Sequence, residues 1–438
     1  MKKKARLGVS MWTGMGVRNI CYSGLIKYLQ NDFDIVLYSP YECEDCKTTS
    51  YLNRFLKRKC GFYNFLYKVL YLSNYYAMYK THKTKTVEKY MERDRGNSWH
   101  VYIIFNALSW LILKIRKDNA FDFLRDSIYS YKGVNFNDID ILFVTSTDTK
   151  EDQILMYMAK KNKVPVVSLV HSWDNLPARG FLPTVPDRLL VWNGIMKEQA
   201  MDLHDIPSEK IDIVGIPQYQ KYLEILSEFE ICKHEEKLSI LYTCSAIRVF
   251  PDEEEFIDTL LGRLSLIKGA ELVIRLHPEE RKKLYLFKYR KYKNIRISNP
   301  DNSFRAVETS TESMSDRGIV EFLSLINCSD VVINLASTIT LDAILCDTLV
   351  ICPMFNISLE ANSWNSALKW YDSSHFSKIK ESGAVYLPKD MDELMQNIES
   401  AILRPKEKNR ECKILSQDMM PIIDSRFEIS KSLKEALQ

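Results

Sequence analysis

The chain has no apolar run long enough to cross a bilayer. Its most apolar stretch, Val101 to Ile115, is broken by Asn106 and Ser109 and followed by Lys114, Arg116 and Lys117. That falls short of the ~20 residues a span needs, so it reads as a buried or half-buried helix. The start, Met1-Lys-Lys-Lys-Ala-Arg, passes directly into a strand pattern over Leu7–Met11, without an apolar signal core or cleavage site. Walker A, the G-x-S-x-G elbow and H-E-x-x-H are absent, which removes P-loop, serine-hydrolase and zincin chemistry. Of ten cysteines, only Cys43 and Cys46 form a C-x-x-C, and no second pair stands at zinc spacing. They read as reduced, mostly buried thiols of a cytoplasmic protein. Internal repeats and low-complexity tracts are also lacking.

What is present is a soluble globular composition, 46% hydrophobic and 27% charged over 438 residues, too long for one ordinary core. The net charge of +3 hides a local excess: Lys47 to Arg93 holds eleven Lys/Arg against Glu88 and Glu92, which is +9 and leaves −6 elsewhere. The N-terminal half alternates helical patterns with short β-branched runs at Arg6–Ser10, Asp34–Tyr38, Ile139–Thr145, Pro165–Val170, Arg188–Trp192 and Ile211–Val214. Such runs suit a parallel sheet covered on both faces. From about Tyr41 to Ser130 the rhythm breaks into a helical, basic, Tyr-rich insertion. After a charged linker helix the alternation restarts at Leu238–Thr243, Leu272–Leu276, Ile295–Ile297, Val331–Asn334, Leu349–Cys352 and Ala384–Leu387. Helices are expected at Asp252–Leu266, Ile319–Ile326, Ile339–Leu345 and Met391–Leu403. The expected architecture is α/β, two Rossmann-like domains facing a cleft: residues 1–220 with the helical insertion at about 41–130, then 236–405. Residues 406–438 are expected as helices packing back across that cleft.

Polar clusters follow the strand ends, where open α/β sheets bind ligands. The first is Ser10-Met-Trp-Thr-Gly-Met-Gly-Val-Arg18-Asn19. Gly14 and Gly16 permit a tight turn, although two glycines do not make G-x-G-x-x-G. Arg18, placed on the first turn of the following helix, opposes its dipole and so points to an anion. The second cluster is His171-Ser-Trp-Asp174-Asn175-Leu-Pro-Ala-Arg179-Gly180, after a buried strand. His171 or Asp174 can take a proton from a hydroxyl, with Asn175 and Arg179 beside them. The plainer alternative is that Asp174 and Asn175 cap a turn and His171 is a core histidine.

The third cluster lies in the C-terminal half. One apolar run ends in Arg275, His277 and Pro278, and another passes into Asn334, Ser337 and Thr338. A helix starting at Ser337-Thr338 offers free N–H groups and two hydroxyls, and the neighbouring His and Arg add donors; together these are the parts of a phosphate site. Separately, His-Pro can merely end a strand and Ser-Thr can be a plain N-cap. Asp342 can accept from a ribose hydroxyl or be a solvated helix residue. Thr243, Ser245 and Arg248 follow the first strand of this half, and His375 sits in a polar loop. Asp32-Phe-Asp34 and Asp138-Ile-Asp140 open strands, the wrong end for a metal–diphosphate site, so no essential metal is expected.

The runs His171 to Gly180, Pro186-Asp-Arg-Leu-Leu-Val-Trp-Asn and Ile213-Val-Gly-Ile-Pro-Gln resemble bacterial GT-B glycosyltransferases that build surface polysaccharides. The stretch Asn334-Leu-Ala-Ser-Thr-Ile-Thr-Leu-Asp342 matches them too. His277-Pro278 and Ser337-Thr338 are similar to the HP and ST motifs of polysialyltransferases and Kdo transferases, and CDP-glycerol glycerophosphotransferases share related features. The resemblance covers roughly residues 164–390; it is most specific over 171–217 and thin over about 41–130. The acidic motif of the polysialyltransferases is not found. The resemblance implies that His277 and Ser337-Thr338 bind the leaving nucleotide phosphate, and His171 aligns with a catalytic histidine of the glycerophosphotransferases. It implies transfer of a sugar from a CMP-, UDP- or related donor to a glycan or lipid-linked acceptor in capsule or O-antigen synthesis. The donor is a substrate, and no cofactor and no nucleic-acid partner are expected. The expected place is the cytoplasm, with peripheral contact to the inner membrane through Lys57-Arg-Lys59, the lysines around 80–89 and interfacial Tyr and Trp. The alternatives are a polyol-phosphate transferase, a sugar-nucleotide 2-epimerase on the same fold, and a non-catalytic component of a polysaccharide assembly complex.

Overall fold

The computed structural model describes residues 3–41, 49–51, 56–58, 61–97, 99–115, 129–131, 136–147, 149–229, 238–245, 249–277, 288–289, 291–300, 304–305, 312–313, 316–358 and 366–438. The chain forms two compact units. One comprises Met1–Lys221, Arg305–Ser313 and Pro421–Gln438, the other Tyr222–Phe304 and Met314–Met420.

The first unit is built on a seven-stranded sheet: β1 (Ala5–Ser10), β2 (Phe33–Ser39), β3 (Thr49–Tyr51), β4 (Ile141–Val144), β5 (Val166–Leu169), β6 (Arg188–Val191) and β7 (Ile211–Ile213), in spatial order 3-2-1-4-5-6-7. Every pairing is parallel. β4 and β5 are buried throughout, which explains their continuous apolar sequences Ile-Leu-Phe-Val and Val-Val-Ser-Leu. The helix Lys150–Lys161 covers the sheet through Ile154, Leu155 and Ala159, packed on Val36, Leu142, Val144 and Val166. The last helix, Ser425–Ala436, also belongs to this unit. Its Lys434 and Ser430 bind Asp32 at 2.7 and 2.9 Å, and Arg426 Nε donates to the Ser23 carbonyl at 2.9 Å. Lys434 is the chief reason the Asp32 carboxyl is held below its ordinary range.

The stretch read as a helical insertion holds three helices, Gly61–His82, Lys85–Asn97 and Trp99–Ile115. It is not helical throughout. It also supplies β3 and a small antiparallel ribbon of Leu56–Arg58 with Tyr129–Tyr131. β3 is a three-residue edge strand with the sequence Thr-Ser-Tyr, too short and polar to show a strand pattern.

The second unit holds a five-stranded parallel sheet: β8 (Leu238–Thr243), β9 (Ala270–Arg275), β10 (Ile295–Ser298), β11 (Val331–Ile333) and β12 (Leu349–Ile351), ordered 10-9-8-11-12. The strand expected over Ala384–Leu387 is reduced to a single bridge, Tyr386 beside Ile351. Gly383 at φ +75° starts this segment, and Pro388, which has no N–H to donate, closes it. The helix Asn409–Met419 stays with this unit, so residues 406–438 divide between the two units at Met420 and Pro421.

Several buried or half-buried groups of this unit hold their protons tightly. Burial, the largest cause for each, pushes the Cys352 thiol from 9.0 up to about 12 and Cys412 up to about 11, and it raises Cys346 and the Tyr371 phenol as well. The folded state keeps these protons at pH values where the unfolded chain sheds its own. Stability is therefore expected to fall as pH rises from about 9. The urea midpoint should drop between about pH 8 and about pH 10.5, and Cys352→Ala should flatten the slope while lowering stability at the acid end. A midpoint independent of pH over that range would refute it.

Candidate functional site

In each sheet the strand order reverses direction once, between β1 and β4 and between β8 and β11. Ligands of open parallel sheets lie outside the carboxyl ends at such reversals.

At the first reversal, Ser10 ends β1. Its hydroxyl donates to the buried carboxylate of Asp152 and accepts from Trp12 Nε1 at 2.7 Å. Thr149 caps the helix Lys150–Lys161 and donates its hydroxyl to Asp152 Oδ2 at 2.8 Å. The carboxylate thus sits in the first helical turn, where the helix dipole favours it. Thr13 caps the short helix Gly14–Val17 by accepting from Gly16 N at 3.0 Å. Gly16 is required here, since a Cβ would lie 2.9 Å from Thr145 Oγ1. Arg18 does not stand in the first turn. It opens a π-helical turn, Arg18–Tyr22, and donates to Met15 Sδ at 3.2 Å. Within that turn Asn19 is buried, and neither polar atom of its side chain meets a partner among the described residues; the same holds for the Thr145 hydroxyl. Orphaned buried polar groups at a strand-end turn, next to a π-turn, are the kind of feature functional sites leave.

The His171 loop leaves the same carboxyl edge from β5, two strands from β1. Asp174 precedes the short helix Asn175–Ala178 and its carboxylate accepts the Ser172 hydroxyl. His171, Asp174 and Arg179 are half-buried, and Asn175 is buried. Two contacts seat the loop from outside. His204 Nδ1 accepts from Leu182 N at 3.3 Å while its Nε2 meets the Leu176 carbonyl at 3.0 Å. The Asn74 amide donates to the Phe181 carbonyl at 2.7 Å, and a Cβ on Gly180 would come within 3.0 Å of the Asn74 backbone. Asn74 belongs to the helix Gly61–His82, so the insertion braces this loop.

In the second unit, three adjacent strands bring their ends together. After β8, Thr243 is buried with its hydroxyl 3.5 Å from the Ile333 carbonyl, and Ser245 N donates to Glu253 Oε1 at 2.7 Å. Glu253, fully buried at the start of the helix Glu253–Leu264, also accepts from Tyr242. After β9, His277 is half-buried. After β11 comes the turn Asn334–Thr338, in which Ala336 has φ +35°. An alanine held at positive φ is a strained position, and such strain concentrates at functional turns. Beneath it, Thr340 donates to Asn334 Oδ1 at 2.9 Å and lies 3.7 Å from Cys352 Sγ. Ser337 Oγ accepts from Ile339 N at 3.3 Å, while Thr338 stands at the cap of the seven-residue helix Ile339–Leu345 without a side-chain capping bond. Asp342 is buried in that helix, which removes the reading of a solvated helix residue. Ala336→Gly is expected to raise stability by up to about 1 kcal/mol, and Ala336→Val to lower it by about 1–3 kcal/mol. Thermal melts of the two variants check the sign of each.

Arg275 departs from its expected role. It is 4% exposed, and its Nη1 donates to Ser298 Oγ at 2.6 Å, to the Asn299 carbonyl at 3.1 Å and to Glu321 at 3.1 Å. These contacts tie β9 and β10 to the helix Asp316–Asn327. His375 lies between the turn Ala367–Asp372 and the helix Ser377–Glu381, with Nε2 3.3 Å from Ser373 Oγ. Pro278, Arg248, Cys43 and Cys46 lie outside the described residues. Sequence reading included Ser10 and Asn19 in the first cluster without giving them a role, and passed over Thr145, Asp152 and Glu253 as site residues. A signal existed for part of this set, the unbroken polar run Thr145-Ser-Thr-Asp-Thr149 after a buried strand.

No protein-family model matches the chain, and no curated protein does. Solved structures do. A UDP-GlcNAc 2-epimerase of Methanocaldococcus jannaschii is 14% identical over 98% of this chain and 99% of its own, with a TM-score of 0.54. The Neisseria meningitidis UDP-GlcNAc 2-epimerase bound to UDP-GlcNAc is 13% identical over 99% of both chains, at 0.53. The spinosyn rhamnosyltransferase SpnG complexed with thymidine diphosphate is 12% identical over 98% of this chain and 99% of its own, at 0.49. At such identities a likeness speaks for the fold alone. With its two parallel α/β units, the chain has a GT-B fold.

Proposed function

We propose that the protein transfers a sugar from a nucleotide-activated donor, held by the second unit, to a glycan or lipid-linked acceptor held by the first. The observation that carries this reading is the group at the ends of β8, β9 and β11. Thr243 and Ser245, His277, and the turn Asn334–Thr338 flank one topological reversal, with a strained alanine at the centre of the turn. Hydroxyls, backbone N–H groups and an imidazole on three neighbouring strand ends suit a nucleotide phosphate, whose charge grows as the sugar departs. In this reading His277, Ser337 and Thr338 stabilise the leaving phosphate, and His171 or Asp174 takes the proton of the acceptor hydroxyl. Asp342 is buried near the turn and would reach a ribose only through it. In this reading Arg275 braces β9 and β10 against the helix Asp316–Asn327 rather than binding the phosphate. Surface polysaccharide synthesis is the pathway this chemistry would serve.

A second reading, a UDP-sugar 2-epimerase, is favoured by the fold of the two epimerases, which runs over almost the whole chain. Both readings are separated by two measurements. A panel of CMP, CDP, UDP and TDP in a thermal melt should show one nucleotide stabilising the protein, by about 2.7 kcal/mol at a hundred times its Kd. The matching sugar nucleotide is then incubated with no acceptor. Epimerised sugar nucleotide in that mixture would support the epimerase and reject transfer. A panel in which no nucleotide shifts the melt rejects both.

A further inference from the structure

The helix Trp99–Ile115 is apolar on every side, and its sequence contains one charged residue, Lys114. Only part of it is covered by protein. Phe105 and Ile112 are buried, Phe105 in a cluster with Val69, Tyr76 and Val87, and Ile112 with Ala77 and Met78. On the other side Trp99 is 59% exposed, Trp110 62%, and Ile103 and Ile104 each 50%. At 3.6 residues per turn, Trp99, Ile103 and Trp110 fall within a wedge of about 40°, and the ridge they form is about 16 Å long. Of the two sequence readings, buried or half-buried, the structure shows the second: this helix presents two tryptophans and two isoleucines to solvent. A helix apolar all round normally has something against each face.

The charge of the flanking sequence, and the lysines described beside the helix, say what that something is. Lys47 to Lys117 holds fifteen lysines and arginines against three acids, Glu88, Glu92 and Asp94. Lys80 lies 4.3 Å over the Trp110 ring and donates to the Asn106 carbonyl at 2.7 Å. Its ammonium is pushed below the ordinary lysine range, first by burial and then by repulsion from Lys83. Lys83 and Lys85 are exposed. Crowded cations beside exposed tryptophans need an anionic counterpart that also accepts apolar side chains. A second copy of the chain fails this requirement, because a two-fold contact through this face would set two basic surfaces against each other.

We propose that this face docks the protein on an anionic bilayer, Trp99, Ile103 and Trp110 entering the headgroup–acyl boundary and the lysines meeting lipid phosphates. The helix lies in the membrane plane, since its opposite face is already packed on protein. No helix of the described residues is long and apolar enough to cross a membrane. This docking is independent of the sugar-transfer reading and is measured without any substrate.

The test is sedimentation of the full chain with vesicles of phosphatidylglycerol and phosphatidylcholine, against phosphatidylcholine alone, with tryptophan emission recorded. Binding should require the anionic lipid, shift the emission to the blue and weaken between about 0.1 M and about 0.5 M salt. Trp99→Ser with Trp110→Ser should reduce partitioning by about tenfold or more, and Lys83→Glu with Lys85→Glu should lower it and its salt dependence. All four side chains are largely exposed, so circular dichroism should stay unchanged. The proposal is overturned if the wild-type chain does not sediment with anionic vesicles. It is equally overturned if the tryptophan pair has no effect, or if light scattering shows self-association that the tryptophan variant abolishes.

Discussion

His171→Ala should lower turnover by about 10²–10⁴-fold, the range a positioned general base contributes, with the melting temperature nearly unchanged. The small effect on stability follows from how the loop is seated. His204 holds Leu176 and Leu182, Asn74 holds Phe181, and Gly180 packs on the Asn74 backbone. None of those contacts runs through the His171 side chain. Asp174→Asn separates two mechanisms. If the carboxylate orients the imidazole, both variants lose turnover strongly and the acid limb of the pH–rate profile disappears in His171→Ala. If Asp174 is itself the base, His171→Ala mainly raises KM for the acceptor, and the limb remains. Ser172 donates to Asp174, so Ser172→Ala should give a smaller loss in the same direction. With donor and acceptor verified, near-normal turnover in both His171→Ala and Asp174→Asn would remove catalysis from this loop.

What could be read in the sequence follows a physical line. Parallel strands buried on both faces announce themselves as short β-branched runs, and β1, β2, β4 to β6 and β8 lie within one or two residues of where those runs place them. Likewise, helices Ile339–Leu345 and Met391–Leu403 have the expected ends. A three-residue polar edge strand, β3, carries no such mark. The same is true of tertiary commitments made across long separations. Asp152 reaches back to Ser10, 142 residues away, and Arg275 reaches forward 46 residues to Glu321. A polar residue at a strand end looks the same in sequence whether it points to a ligand or into a neighbouring helix. For Trp99–Ile115 the periodicity itself is uninformative: apolar residues fall on both the packed and the bare side, so no pattern distinguishes the two. Ala336 was illegible for another reason, since positive φ is signalled by glycine or asparagine and alanine gives no warning.

Arg275 and His277, two residues apart at the end of β9, should respond to alanine in opposite ways. Arg275→Ala removes the donor of Ser298, the Asn299 carbonyl and Glu321, and leaves buried acceptors unsatisfied. Breaking a fully buried pair costs about 3–5 kcal/mol. Glu321 is 46% exposed and regains water, so about 2–4 kcal/mol is expected here. Nucleotide affinity, measured well below the melting temperature, should be retained. Arg275→Lys should recover part of the stability, because an ammonium can satisfy some of the same acceptors but not the planar fork. For His277→Ala the expected result is reversed: melting within a few degrees of the wild type and turnover reduced by about 10²–10³-fold, the usual effect of losing one donor to developing charge. Calorimetry and turnover on the same preparations decide both. If Arg275→Ala keeps its stability and loses nucleotide binding, the guanidinium serves the ligand after all. If His277→Ala melts early while its folded fraction works normally, the imidazole is a packing residue and the phosphate must be held by the Ser337–Thr338 turn without it.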